Sequence, residues 1–159
     1  MVQFTLISVG TLKEKYLTEA VAEYKKRLSQ FARVEEINIT EEKIQNEENE
    51  AQIKCALEAE GDKILGAMKR DSYKIALCIE GRQYSSEGLA DLFRDASDRC
   101  GKITLVIGSS HGLSERVKSA CDERLSFSKM TFPHQLMRVI LFEASYRAFT
   151  IINHKKYHK

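Results

Sequence analysis

Lys102-Ile103-Thr104-Leu105-Val106-Ile107-Gly108-Ser109-Ser110-His111-Gly112-Leu113-Ser114 is the stretch on which the fold turns. Lys102–Ile107 reads as a buried strand that stops at Gly108. A polar, glycine-containing loop follows over Ser109–Ser114, and Leu113–Ala120 reads as a short helix. Upstream, Tyr73–Ile79 is apolar without alternation, as a strand covered on both faces should be. Gly81 ends it. Between the two strands, Ser85–Cys100 carries Leu89, Leu92, Phe93 and Ala96 at helical spacing, with Ser85 or Ser86 placed to cap it. Strand, helix, strand, helix in this order is the signature of an α/β domain with a mainly parallel sheet.

The rest of the chain extends the pattern in both directions. Val2–Val9 is a β-rich run ending at Gly10. Leu12–Phe31 repeats Leu17, Val21, Tyr24 and Leu28 along a helical stripe. Arg33–Thr40 alternates as a second strand, and the glutamate-rich segment 41–50 reads as a solvated loop. Ala51–Met68 has Ile53, Leu57, Ile64 and Leu65 on one helical face and is expected to be interrupted near Gly61. Arg124–Phe127 is a fifth candidate strand. Pro133, the chain's one proline, opens a final helix to Ile152. In such sheets ligands bind beyond the carboxyl ends of the strands. Those ends are Gly10, Glu80–Arg82 and Gly108–His111.

Composition narrows the class. The 159 residues are 43% apolar and 30% charged, which fits one soluble domain, residues 1–159. No run approaches the ~20 apolar residues that span a bilayer. The opening MVQFTLISVG reads as a strand and not as a signal peptide, so a cytoplasmic protein without a membrane partner is expected. Cys55, Cys78, Cys100 and Cys121 are widely spaced, which predicts free thiols and no metal site. The net charge is +2, but residues 129–159 hold Lys129, Arg138, Arg147, Lys155, Lys156 and Lys159 against Glu143 alone. The basic excess therefore sits at this end, where it can meet phosphates.

The residues themselves leave several alternatives open. No G-x-G-x-x-G follows the first strand, and no phosphate-binding G-x-x-x-x-G-K-[ST] occurs. The Gly108–Ser114 loop is either a ligand cradle or an ordinary strand-to-helix turn. The final helix is apolar on every side, which calls for burial on every side and points to a second subunit. Within it, Glu143 and Arg147 can pair across one turn. Arg138 and Arg147 are either structural partners of carboxylates or clamps for phosphate. The tail Asn153-His154-Lys155-Lys156-Tyr157-His158-Lys159 is either disordered or folds over an RNA base, since aromatics stack on bases and lysines meet phosphates.

Leu125-Ser126-Phe127-Ser128-Lys129-Met130-Thr131-Phe132-Pro133-His134-Gln135-Leu136-Met137-Arg138-Val139 adds a further line of inference. With Glu143, Tyr146-Arg147-Ala148 and Tyr157-His158-Lys159 it closely resembles the RlmH family of SPOUT-class methyltransferases. Val9-Gly10-Thr11-Leu12-Lys13 and Ser85–Ala90 resemble it too, so the likeness covers essentially the whole chain. The resemblance implies a C-terminal trefoil knot, which pattern reasoning would have rejected. It also implies S-adenosyl-L-methionine as cofactor, a homodimer packed through the knot, and methylation of pseudouridine N3 in 23S ribosomal RNA, on the assembled ribosome. By position, Leu77, Gly108 and the run Phe127, Ser128, Lys129, Met130, Thr131, Phe132 resemble the cofactor-binding residues. Arg138, Tyr157 and His158 are the expected acceptor-side catalytic groups, with Arg147 and Lys159 meeting the RNA. His134 reads first as a capping or packing residue at the helix start. The chain departs from the family at Ser109, where a second glycine is usual. Two rival readings remain: a non-catalytic RNA-binding factor with a vestigial pocket, and a small-molecule α/β enzyme whose basic tail is merely solvated.

Overall fold

The computed structural model describes all 159 residues. Five strands form one sheet: β1 (Val2–Val9), β2 (Ala32–Ile39), β3 (Tyr73–Gln83), β4 (Lys102–Ile107) and β5 (Glu123–Ser126). Their order is β2-β1-β4-β3-β5, and every neighbouring pair is parallel. The helices are α1 (Lys15–Leu28), α2 (Glu50–Ala67), α3 (Ser86–Cys100), α4 (Glu115–Ser119) and α5 (His134–Ile152).

The pleat splits β1 between two cores. Phe4 and Leu6 face one side, where they join Val21, Leu28, Phe93, Phe142 and Phe149 from α1, α3 and α5. Ile7 and Val9 face the other side, with Ile64 and Val117 from α2 and α4. The first core is aromatic: the Phe4 ring lies 6.1–6.4 Å from those of Phe93, Phe142 and Phe149, in tilted and edge-on geometry. α5 is wedged between α1 and α3. Its apolar surface is nevertheless only partly covered: Leu136 is 39% exposed, and Val139, Ile140, Ile151 and Ile152 are half-buried.

Local signals set most boundaries. Ser85 caps α3 by accepting from the Gly88 N–H at 3.0 Å, and Gly101 closes it with φ +65°. Asn49 caps α2 through the N–H groups of Ala51 and Gln52. Three expectations are corrected. α2 is continuous through Gly61. The glycine is there because a Cβ would sit 2.8 Å from Ser114 Oγ and 3.3 Å from Val117 Cγ2, so it lets α2 approach α4. The first helix begins at Lys15 and not at Leu12, leaving Thr11–Glu14 as loop. β3 does not end before Gly81: Leu77 pairs with Leu125, residues 78–81 loop out, and Arg82 rejoins the same partner. The chain at Gly81 crosses the Arg124–Leu125 backbone so closely that a Cβ would lie 2.7 Å from both carbonyl carbons.

Candidate functional site

All five strands present their carboxyl ends along one edge of the sheet, and two cavities open there. The first, about 630 Å³, lies between the ends of β3 and β4 and the segment joining β5 to α5. Its apolar walls include Leu77, Ile107, Leu113, Phe127, Phe132 and Met137. Ser109, His111, Glu80 and Lys118 supply polar groups. Pockets of this volume with apolar walls and few polar groups are typical of small-molecule sites. The loop joining β5 to α5 is held by its own serines: Ser126 Oγ donates to the Ser128 carbonyl at 3.1 Å, and Ser128 Oγ accepts from the Met130 N–H at 3.0 Å.

The β4–α4 loop owes its shape to two glycines with different tasks. Gly112 has φ +86°, a conformation that side chains resist. Gly108 does not; its missing Cβ would fall 2.1 Å from the Gly112 carbonyl oxygen, so the loop folds back against it. The Gly112 N–H closes this turn on the Ser109 carbonyl at 2.9 Å. Ser109 is buried and has no positive φ, so its side chain is accommodated without backbone strain. Its hydroxyl faces the carboxylate of Glu60, which is buried on α2. Burial pushes the Glu60 carboxyl up. The Glu42 N–H, at 2.9 Å, and the Ser109 hydroxyl oppose that rise.

The second cavity, about 790 Å³, sits at the ends of β1 and β2 and is polar. Thr11, Asn38, Thr40 and Gln135 offer hydrogen-bonding groups, and the charged groups are Lys13, Lys43, Glu41, Glu42 and Glu47. Gln135 Oε1 accepts from the Lys13 N–H at 3.1 Å and ties the start of α5 to the β1–α1 loop. His111 and His134 line both cavities and are the residues the two linings share.

The expected cofactor residues converge, with one exception. Leu77, Gly108, Phe127, Ser128, Met130, Thr131 and Phe132 all line the first cavity, whereas Lys129 is exposed and does not. The expected acceptor-side residues line neither cavity. Arg138 is 2% exposed: its guanidinium donates to the Gly10 carbonyl at 3.0 Å and to Asn38 Oδ1 at 3.3 Å, with Glu36 at 3.6 Å. Burial pulls that guanidinium down from its ordinary value, and its Nε has no partner. It lies behind the polar cleft, holding two of the lining residues, Gly10 and Asn38. The tail is ordered against its own subunit. Tyr157 lies edge-on to Tyr146, with ring centroids 4.7 Å apart, under the Arg147 guanidinium, and its hydroxyl reaches Glu143 at 3.1 Å. Burial, together with hydrogen bonds to Tyr24 and Glu143, pushes the Tyr157 phenol up to about 12, so it stays protonated at neutral pH. His158 meets Glu87, in the first turn of α3, at 2.7 Å. Arg147 pairs with Glu143 as the spacing predicts, and Lys159 is exposed.

Sequence reasoning missed Lys118, which pairs with Glu80 at the cavity's rim; no local spacing signals a contact between α4 and β3. It also passed over Glu60, although that residue stands seven after Ile53 and four before Ile64, in phase with the buried stripe. No cluster of His, Cys, Asp and Glu assembles for a metal ion, and no helix is long and apolar enough to cross a membrane.

An open parallel sheet with a glycine-turned cavity at its carboxyl edge defines the chain as an α/β protein whose cavity lies where such sheets commonly bind ligands. Residues 2–158 match the family described as "Predicted SPOUT methyltransferase", and the chain belongs to that family. It is 46% identical over 156 residues to the ribosomal RNA large subunit methyltransferase H of Shouchella clausii, covering 98% of both chains. It is 49% identical over 154 residues to the protein of the same name from Caldicellulosiruptor bescii, covering 97% of this chain and 98% of that one. Among solved structures, it resembles one described as a probable methyltransferase from Bordetella pertussis Tohama I, with TM-score 0.60 and 14% identity over 93% of this chain and 96% of that one. A probable methylase family protein from Haemophilus influenzae gives TM-score 0.56 at 14% identity, over all of this chain and 72% of that one. These two likenesses concern the fold alone.

Proposed function

We propose that this chain transfers a methyl group from S-adenosyl-L-methionine to N3 of a pseudouridine in 23S ribosomal RNA, acting on the assembled ribosome as a homodimer. The observation that carries the reading is the convergence of Leu77, Gly108 and the Phe127–Phe132 segment on one cavity in a chain of this family. The cavity suits the cofactor: the apolar side chains of Phe127 and Phe132 can enclose an adenine, and Glu80, Ser109 and Lys118 offer partners for hydroxyl, ammonium and carboxylate groups. When bound, the cofactor supplies an electrophilic methyl carbon; the protein's share is position, exclusion of water and management of the acceptor's proton.

On the acceptor side, Arg147, Tyr157, His158 and Lys159 form a basic, aromatic end suited to RNA. Arg138 acts from behind, holding the ends of β1 and β2. The dimer is supported by exposed apolar side chains at Ile79, Met130 and Leu136, the first two on the cavity's lining. A second copy of α5 and its surroundings would cover them. The trefoil knot is supported by the close crossing of Gly81 over Arg124–Leu125.

A tritiated-methyl transfer assay tests the whole reading. Naked ribosomal RNA, large subunits and whole ribosomes are compared, using the full chain and a chain ending at Lys156. Transfer is expected to be strongest on whole ribosomes and sharply reduced by the truncation, with cofactor affinity unchanged. Cofactor binding without transfer to any of the three substrates would leave a non-catalytic RNA-binding factor. A truncated protein that methylates normally would make the tail a passive end.

A further inference from the structure

We propose that the polar cleft receives the acceptor base and that His134, on the wall it shares with the cofactor cavity, takes the proton from the base's imide nitrogen. The inference rests on the methyltransferase reading above. An imide nitrogen that keeps its proton is a poor nucleophile, so a proton acceptor must stand beside it. That nitrogen must also face the cavity holding the methyl donor. The acceptor group therefore belongs on the boundary between the two spaces, and only His111 and His134 line both.

The other candidates are engaged elsewhere within the subunit. Arg138 is buried behind the cleft, Tyr157 holds its proton to about 12, and His158 is paired with Glu87. The N-cap position of α5 is Pro133, so His134 is the first helical residue and does not stand at the capping position. It is also the better placed of the two histidines. It opens a 19-residue helix whose next residue, Gln135, is tied across the cleft to the Lys13 N–H, whereas His111 rides on the β4–α4 loop. Groups fixed on regular elements hold reacting geometry more closely than groups on loops.

The cleft fits a base and not its phosphate. Thr11, Asn38, Thr40 and Gln135 can serve the carbonyls and N–H groups of a pyrimidine. Glu41, Glu42 and Glu47 outnumber Lys13 and Lys43 in the lining and disfavour a phosphate there, so the nucleotide would enter base first, swung out of its strand. Arg138 provides an independent sign of a built site. It is a buried guanidinium with an unpartnered Nε, and it holds two residues of the cleft lining, Gly10 and Asn38. In the step itself the N3–H bond breaks, the proton passes to the imidazole nitrogen, and the bonding pair stays on N3 as the nucleophile. The imidazolium then returns the proton to water through the open cleft. The charged groups that share His134's surroundings are His111 from the β4–α4 loop, Lys13 from the β1–α1 loop, Glu41, Glu42, Lys43 and Glu47 from the β2–α2 loop, Glu80 from β3 and Lys118 from α4.

The test uses the full chain with His134→Gln and His134→Ala. Methyl transfer to whole ribosomes is followed from pH 5.5 to 9, and cofactor affinity is measured by calorimetry. Separately, the His134 imidazole resonance, assigned by its absence in His134→Gln, is followed while a pseudouridine-containing stem-loop RNA is added to cofactor-free protein. Both variants should keep cofactor affinity within about twofold and lose roughly 100-fold in rate near pH 7, the lower range for a general base. The acidic limb between about pH 5 and 8, where imidazoles titrate, should vanish, and added imidazole should partly rescue His134→Ala. The stem-loop should shift the His134 resonance. A wild-type rate and pH profile in His134→Gln, an equal loss of rate and cofactor affinity, or transfer of the whole effect to His111→Gln would each overturn the proposal. An unmoved resonance would overturn the placement of the base. A shifted resonance in a protein that methylates no RNA would uphold the cleft as a base site while sinking the methyltransferase reading.

Discussion

The two cavities share an edge of one sheet and a pair of histidines, yet their chemistry is opposite. The β3/β4 cavity is walled by leucines, phenylalanines and methionines and shaped by a loop that packs against Gly108 too closely for a side chain there. The β1/β2 cleft is larger, charged and hydrogen-bonding, and a buried arginine behind it holds two of its lining residues, Gly10 and Asn38. Strand ends alone therefore do not dictate what a parallel sheet binds. The crossing loop does: the segment between β5 and α5 brings Phe127 and Phe132 over one cavity, and the segment between β2 and α2 brings glutamates over the other.

Removing the arginine behind the cleft should have the largest effect. Arg138→Met strips the Gly10 carbonyl and Asn38 of a buried donor, while Glu36 keeps Lys25 at 2.9 Å. Losing two hydrogen bonds to a charged group costs about 3 kcal/mol together. Urea denaturation should show that loss, together with failed methyl transfer. A variant as stable as the parent would mean that the cleft does not depend on the arginine.

A smaller change sharpens the other side. Gly108→Ala places a methyl group 2.1 Å from the Gly112 carbonyl oxygen, so the loop must shift. Overpacking of this kind costs typically 1–3 kcal/mol, and calorimetry should show cofactor affinity down by roughly tenfold or more. The same variant should keep any binding of stem-loop RNA at the cleft. Equal damage to both would show that the two cavities are one site.

The smallest effect concerns the residue that touches both regions. Glu60 accepts from Glu42 of the cleft loop and faces Ser109 of the cavity loop. Because its folded carboxyl is raised above the ordinary 4.5, the protonated form is favoured on folding. Its contribution to stability is greatest below that value and falls away as the pH rises through its titration in the folded state. Glu60→Gln keeps an acceptor for the Glu42 N–H but cannot ionise. Thermal unfolding from pH 4 to 8 should therefore show the variant losing less stability than the parent with rising pH. Parallel curves for the two proteins would remove Glu60 from the account.

Most of the architecture was readable from periodicity. Tyr73–Ile79 and Lys102–Ile107 announced strands covered on both faces, and the stripe through Leu17, Val21, Tyr24 and Leu28 announced α1. Glycines misled where their reason lay elsewhere in the fold. Gly61 looked like a helix interruption, but it makes room for Ser114. Gly81 looked like a strand end, but it marks a backbone crossing. Of the eight positions at which the resemblance leads one to expect cofactor contacts, seven line one cavity, five of them within Leu125–Val139. The resemblance did not separate Lys129, which faces outward within the same run.

The sequence by itself determined the parallel α/β class, because hydrophobic period and turn residues act over a few positions and leave their mark locally. It also determined the Glu143–Arg147 pair, whose geometry one helical turn specifies. Only the tertiary structure decided that Arg138 is buried against Gly10 and Asn38, that the tail docks on Glu143, Arg147 and Glu87, and that His111 and His134 stand where two cavities meet. Those facts depend on contacts between residues as far apart as Gly10 and Arg138. A side chain's burial and partners there are set by which elements pack together, and no local pattern encodes that.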